Sequence, residues 1–395
     1  MSFSVDLIQD VSVFADQAVS WDRLAARFAN PLLSHDWFLS CAEAFSNARD
    51  LHIVRVHDNG RLVAAAPLVV AKLGFVDRLE MLGASVLHEP TGFLYDSDDS
   101  LRALCHGVVA LSRPLWLRRV PGDESIGAAL ATATTGRGLL MQSSGGECPF
   151  LLSPASWDEY LKSRSSQRRY DLRRARRRLQ EQGAMKFLCL APGPDEVDTL
   201  LESAFAIESS GWKGRAGSAI LHRPELREFF SRYARRACDA GQLRLCFLML
   251  DGRPLAVEIA VEASESFWVL KVGYEERWAN CSPGLQLMAE CIRLTMERGI
   301  RTHEFLGSAE AWIQPWASGT RSYHSFRYYP WHWRGLMAWV LDQADRFGSK
   351  FVAVTKSVKR DKVRRNQRLN GRPGLFAVQG GDARMLCAQY STPLT

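Results

Sequence analysis

A chain of 395 residues is long enough for two to three domains, which excludes a small module. Its 47% hydrophobic and 24% charged content matches ordinary soluble globular proteins and argues against extended disorder, collagen-like repeats and a bilayer-spanning bundle. The net charge of +7 hides an asymmetry: Lys162 to Arg178 holds nine Lys/Arg against Asp171, Arg346 to Arg372 holds ten against Asp361, and the remainder nets −10, so two short strips carry the positive field.

The predicted elements fall into two segments of similar rhythm. In the first, Trp21 to Phe28 and Asp36 to Phe45 read as helices, the second capped by Ser34. Leu51 to His57 and Leu62 to Val70, joined by Asn59-Gly60, form a hairpin signal. A helix (Leu101 to Leu111) and a strand (Leu115 to Val120) follow, and Ser143-Ser144-Gly145-Gly146 reads as a break that bounds a first domain of residues 1–147.

The second segment, 148–330, repeats the plan. Ser165 to Gln182 is an arginine-rich helix whose Leu172, Ala175 and Leu179 form one packing stripe. Helices are expected over Asp195 to Glu208 and Pro224 to Ala240. A second hairpin (Leu243 to Leu250, Asp251-Gly252, Pro254 to Glu262), a strand (Phe267 to Gly273), a helix (Leu285 to Arg298) and a strand (Thr302 to Leu306) complete it.

From Tyr323 to Trp339 seven of seventeen residues are aromatic. The helix Gly335 to Phe347 is expected to set Leu336, Val340, Leu341, Ala344 and Phe347 on one side, and the basic run follows. An apolar face before a polycationic stretch suits a peripheral anchor on anionic lipid; a terminal helix docked on the second domain with a solvated tail is the plainer alternative. Residues 331–395 are therefore read as an aromatic and basic helical tail.

Nine scattered cysteines without a CxxC pair fit reduced thiols better than a disulfide framework or a zinc site. Acidic residues in MSFSVDLIQDVSVFADQ do not suit a secretory signal, and no run approaches a membrane span. The expectation is a cytoplasmic protein, peripheral to the inner membrane if its tail acts as the anchor.

The most informative chemistry lies in VGYEERWANCSPGLQL, Val272 to Leu287. A strand runs into an irregular segment, and Pro283-Gly284 opens a helix whose first N–H groups are free for an anion such as a pyrophosphate. Walker and GxGxxG patterns are absent here, so nucleotide hydrolysis and dinucleotide binding lack support.

The order of CPFLLSPASWDEYLKSRSSQRRYDLRRARRRLQEQG, AIESSGWKGRAGSAI, LKVGYEERWANCSPGLQLM and HEFLGSAEAWIQPWAS resembles the CelD-like (BioF-associated) branch of the GNAT acyltransferase superfamily, related to the FemABX ligases. The resemblance covers about Cys148 to Pro330 well and the first 147 residues more loosely. It implies an α/β (α+β) fold of two tandem GNAT-like domains with mixed sheets flanked by helices, and N-acyl transfer from a thioester to an amine.

The resemblance also maps acyl-CoA, a co-substrate with no permanently bound cofactor beside it, onto Cys281, Ser282, Pro283, Gly284, Leu285 and Gln286. Amine acylation needs a base and oxyanion donors. Glu258, inside the apolar strand Leu255 to Val261, and Glu208, ahead of Gly211-Trp212-Lys213-Gly214, are the candidates for the base. Alternatively, Glu258 faces outward and Glu208 caps a helix or pairs with Lys213. Tyr274 is a candidate donor to the departing thiolate and Lys271 a candidate to polarise the carbonyl, each also readable as a strand residue with a solvated tip.

Trp212, Lys213, Trp312 and Trp316 are the expected substrate contacts. His222 and His303 are expected to be satisfied structural side chains without a metal. Where FemABX-like chains carry a lysine, this one has Ile313, an apolar surface that disfavours an aminoacyl-tRNA donor and favours an apolar acyl chain or a lipid or amino-sugar acceptor. The arginine-rich helix has Tyr170 as its single aromatic, too few for a base-stacking platform, which argues against nucleic acid and leaves tRNA only to the ligase alternative.

Overall fold

The computed structural model describes residues 3–47, 50–122, 124–215 and 217–345. The basic run from Arg346 onward lies outside the described residues, as do the side chains of Trp212 and Lys213.

The strands are β1 (Phe3–Ile8), β2 (Leu51–Asp58), β3 (Arg61–Leu73), β4 (Val76–Met81), β5 (Leu94–Tyr95), β6 (Leu115–Pro121), β7 (Gly138–Leu152), β8 (Met185–Leu190), β9 (Leu243–Leu250), β10 (Arg253–Ala263), β11 (Ser266–Tyr274), β12 (Thr302–Glu304) and β13 (Gly319–Pro330). They form one 13-stranded mixed sheet in the order β1-β2-β3-β4-β6-β13-β7-β12-β11-β10-β9-β8, with β5 beside β3.

Both expected hairpins are present, β2–β3 and β9–β10. At Asn59-Gly60 φ is 48° and 78°, and at Asp251-Gly252 it is 48° and 76°. Two successive positive φ values match the right-handed twist of the flanking strands and favour an Asn/Asp-Gly pair.

The two halves of the sheet are built alike. Each runs as an antiparallel meander and then makes one parallel step, β4 to β6 in the first half and β11 to β12 in the second. The strand beside β6 is then β13, and the strand beside β12 is β7. Each half thus receives its last strand from the other half of the sequence. The expected break at Ser143 to Gly146 is a register shift inside the continuous strand β7, opposite Tyr323/His324.

On one face, the helix His35–Phe45 crosses the helix Pro224–Asp239 and joins both halves in one core. Trp37 meets Phe229 and Tyr233 edge-on at 5.0 and 4.9 Å, and Glu43 binds Arg236 at 2.9 Å and Arg232 at 3.2 Å. On the opposite face, the helices Asp98–Ala110 and Glu124–Thr134 cover the first half, and Pro283–Glu297 and the arginine-rich helix Ser166–Gln180 cover the second. In Ser166–Gln180, Leu172, Ala175 and Leu179 are buried as expected.

The helix after β13, residues 333–345, departs from expectation. Ala338 is fully buried and Leu341 packs inward, whereas Leu336 (61% exposed) and Val340 (42%) face away. The apolar residues therefore divide between two faces instead of sharing one, because Asp342 is held inside by Arg78 and the Tyr329 hydroxyl at 3.0 and 2.6 Å.

Candidate functional site

Strand β11 pairs with β12 at three positions only, the last being Trp268 opposite Glu304. From Val269 to Tyr274 the β11 backbone edge on that side has left its neighbour, which opens a wedge in the sheet. The chain then passes through a 3₁₀ segment, Glu276–Cys281, and the left-handed Ser282 (φ 53°), before Pro283 starts a fifteen-residue helix.

That helix start has no side-chain cap and no acidic residue in its first turn. Pro283 has no N–H, so Gly284 and Leu285 carry the first donors without intrahelical acceptors, at the positive end of the helix dipole. Gly284 lies against the Tyr274 ring, where a Cβ would stand 3.2 Å from Cδ1. Arg178 from the arginine-rich helix donates from Nη1 to the Asn280 carbonyl at 2.7 Å, and with Glu181, Gln182, Asn280 and Cys281 it lines an open pocket of about 390 Å³.

Of the six residues expected around a pyrophosphate, Gln286 differs from the rest. Its side chain is 3% exposed and donates inward to Glu290 at 2.9 Å, so its side chain is committed to a network in which Glu290 also binds Arg176 and Arg293 at 3.0 and 2.7 Å.

The four expected catalytic residues do not converge, because β11 alternates. Lys271 and Gly273 stand opposite Ile259 and Val257, while Val272 and Tyr274 stand opposite Glu258 and Ala256. Lys271 and Glu208 therefore occupy one face of the sheet, and Tyr274 and Glu258 the other.

Glu258 is fully buried between the sheet and the helix Pro283–Glu297, and neither carboxylate oxygen has a hydrogen-bonding partner. It points inward, against the alternative of an outward strand glutamate. Burial pushes its pKa up to about 8, with the Cys291 thiol alongside as weak compensation.

Glu208 is 2% exposed and accepts the Ile220 N–H at 3.0 Å. A Cβ on Gly273 would lie 2.5 Å from its Cα, so the helix Val197–Ser209 touches β11 where only glycine fits. The carboxylate ties the loop after Gly211 to this contact. Tyr274 is half-buried, and burial followed by the Glu276 charge raises its pKa.

Around Lys271 the structure gathers groups from distant parts of the sequence. Its Nζ lies 5.5 Å from the Phe230 ring centroid, and its charge acts on His88 and Glu89. Glu89 accepts the Gly307 N–H at 3.3 Å; burial raises its pKa against the opposing pull of Lys271 and Arg119. Arg119 donates to the His88 carbonyl at 2.6 Å, to Cys148 Sγ at 2.6 Å and to the Gly307 carbonyl. Burial, then Arg118 and Lys271, depress His88 to about 4, so it is neutral at pH 7. Glu304, where β12 ends, is gripped by Arg321 at 2.5 and 3.1 Å.

Sequence reading missed His88, Glu89 and Arg119. The available signal was Glu89 as the sole carboxylate in the apolar stretch MLGASVLHEPTGFL, Met81 to Leu94, but nothing in the sequence links it to Lys271.

Other expectations change. Trp316 is 1% exposed, with Arg168 stacked 4.0 Å from its ring and its carbonyl bound by Tyr160; it is core, which does not fit a substrate contact. Ile313 is 3% exposed in the same cluster and presents no apolar surface. Trp312 is 46% exposed and donates to Glu310 at 2.6 Å. The main chain of Trp212–Arg215 is a short helical turn, and His222 ends a 3₁₀ turn. His303 is buried between Phe267 and Phe305 with neither ring nitrogen bonded, and burial depresses it to about 3. It is an unsatisfied neutral imidazole, unlike the expected satisfied one. Among the described residues there is no His/Cys/Asp/Glu group suited to a metal ion.

Residues 166–314 match the family of acetyltransferase (GNAT) domains. No curated protein matches the sequence. Among solved structures, the C-terminal (DUF2156) domain of a protein assigned as a lysylphosphatidylglycerol synthetase from Agrobacterium fabrum superposes with a TM-score of 0.53 at 10% identity, covering 84% of this chain and 96% of that one. FemX superposes with a TM-score of 0.51 at 12% identity, covering 78% and 95%. Both are similarities of fold. Residues 166–314 are thus a GNAT acetyltransferase domain by family match, and the chain as a whole shares its fold with FemX.

Proposed function

We propose that the protein transfers an acyl group from acyl-CoA to a primary amine, with the thioester seated in the wedge between β11 and β12. The observation that carries this reading is the uncapped helix Pro283–Glu297 at the end of a strand that has parted from its neighbour. The Gly284 and Leu285 N–H groups and Arg178 suit the diphosphate, and the free edge of β11 suits the amide-bearing arm.

The amine enters from the face that holds Lys271. Glu89 accepts one proton of the ammonium, the freed nitrogen attacks the thioester carbonyl, the C–N bond forms and the C–S bond breaks. Tyr274, at the helix start, gives its phenolic proton to the departing thiolate and regains one from the second proton that leaves the nitrogen, so amide, CoA thiol and the proton on Glu89 account for every proton. In this reading residues 148–330 bind the donor, and residues 1–147 brace them and supply His88, Glu89 and Arg119 to the acceptor pocket.

A lipid amine such as a long-chain amino-alcohol, giving a ceramide-like product, or an amino sugar of an exopolysaccharide is the proposed acceptor, met in the cytoplasm. Full-length protein with a long-chain acyl-CoA and such an amine should release CoA thiol in step with amide formation. A FemABX-type reading, with aminoacyl-tRNA as donor, draws on the exposed Arg173 and Arg177 of the arginine-rich helix. Amide formation with aminoacyl-tRNA but not with any acyl-CoA would replace the first reading by the second.

A further inference from the structure

The helix 333–345 carries its side chains in a fixed rotational phase. Asp342 accepts from Arg78 and Tyr329 inside the protein, Ala338 is fully buried, and Leu341 packs beside Gly74 at the β3–β4 turn. With that face locked, Trp333, Leu336, Trp339 and Val340 are turned outward at 61, 61, 37 and 42% exposure. Trp331, just before the helix, is 69% exposed, and Phe75, next to the Gly74 that Leu341 packs against, is 67% exposed. The helix and the β3–β4 turn it packs on thus both expose large apolar side chains.

Charges of both signs edge this patch, with Asp77 paired to Lys72 at 2.5 Å and Asp345 exposed at the helix end, and the basic excess comes from Arg334, Arg113 and the sequence beyond. The Arg334 guanidinium lies 5.2 Å from the Trp333 ring, and Lys72 next to the turn is 76% exposed. The sequence that follows the helix, Arg346 to Arg372, has ten Lys/Arg against one Asp. Indole rings favour the headgroup region, where an apolar body and a polar N–H are both accommodated. Basic residues beside such a face add attraction to anionic headgroups.

We propose that the outward face formed by Trp331, Trp333, Leu336, Trp339 and Phe75 docks the protein on a bilayer that contains anionic lipid. One apolar patch gives weak, reversible attachment, which basic residues in the same sequence region strengthen. The proposal is independent of what the enzyme acylates.

The test is co-sedimentation of the full-length protein with vesicles of phosphatidylcholine, with and without added phosphatidylglycerol. Wild type should bind the mixed vesicles, with a blue shift of tryptophan emission, and release as salt rises. A Trp333→Ser/Leu336→Ser/Trp339→Ser variant should bind at least ~10-fold more weakly while melting like wild type, since the three side chains are exposed. Phe75→Ser, on the other element, should weaken binding by about 3-fold and provides a second reading should the triple variant fail to fold.

Unchanged vesicle binding by these variants would overturn the proposal, leaving the basic run to act alone. It would also fall if wild type ignored anionic vesicles, or if the patch proved to join two copies of the chain, seen as a dimer in solution that the triple variant makes monomeric.

Discussion

The two half-sheets share a plan, yet only one is fitted to receive an anion. In the first half, the helix Asp98–Ala110 that follows the meander opens with a capping box, Ser97 with Ser100, and has Asp98 and Asp99 in its first turn. Ser97 takes up the Ser100 N–H, and the approach to the helix is negative. In the second half, the corresponding helix Pro283–Glu297 opens uncapped and without acidic residues, with Arg178 at its mouth. Side chains at one turn thus separate a capped, acidic helix start from an open one within the same architecture.

The parallel openings are filled differently too. Beside the β4/β6 step, Arg78, Arg118 and Arg327 stack on the Trp116 ring at 4.2, 3.4 and 4.2 Å, among Glu80 and Asp342. That opening is closed by structure. Beside the β11/β12 step, the chain turns away at Gly307 and leaves Lys271, Glu89 and Arg119 around the gap.

The sharpest way to break this comparison is Glu89→Gln. If the second opening is the reacting one, kcat/KM for amide formation should fall by about 10² to 10³-fold, the usual worth of a general base, with the melting temperature little changed. Retained activity would remove Glu89 from the chemistry and leave the base to be found elsewhere.

Glu258→Gln tests the opposite face. The Glu258 carboxyl titrates near 4.5 when unfolded and near 8 when folded, so the folded state holds the proton more tightly. Its neutral form contributes full stability below pH 4.5, and that contribution is withdrawn as pH rises through 8. Wild type should therefore lose stability between pH 5 and 8 while the variant loses much less, and turnover should stay within about threefold. A collapse of kcat in this variant would return Glu258 to the site.

Gly273→Ala should cost about 1–3 kcal/mol by overpacking against Glu208, read as a lower denaturation midpoint. The smallest effects form a matched pair. Arg178→Ala should raise KM for acyl-CoA by about 3- to 10-fold with kcat unchanged. Ser97→Ala, at the capped helix, should leave KM alone and cost about 1 kcal/mol of stability. If both changed KM alike, the distinction between the two helix starts would not hold.

Much of this was legible in the sequence because local rules governed it. The Asn-Gly and Asp-Gly turns, the stripe Leu172, Ala175 and Leu179, and the Pro-Gly helix start each need only a few neighbouring residues. Strands β7 and β13 were missed for the converse reason. Ser143 to Gly146 has turn composition, and it is extended here because β13 pairs with it along the whole length. The cluster around Lys271 is hidden by sequence distance, since Glu89, Arg119, Lys271 and Gly307 meet only through the exchanged strands. Glu258, a candidate base, and Lys271, a candidate to polarise the carbonyl, fall on opposite faces because of the two-residue period of a strand.

The position of β13 at the middle of the sheet has a consequence for the life of the chain. During synthesis every other described strand emerges before it, and until residues 319–330 arrive the facing edges of β6 and β7 have no partner over most of their length. Such edges invite pairing between chains, and closing them requires contacts spanning some two hundred residues, the kind that makes folding slow. A ribosome stalled before residue 319 would hold two nearly complete lobes that cannot close, a species suited to chaperone capture or to swapping strands with a neighbouring nascent chain.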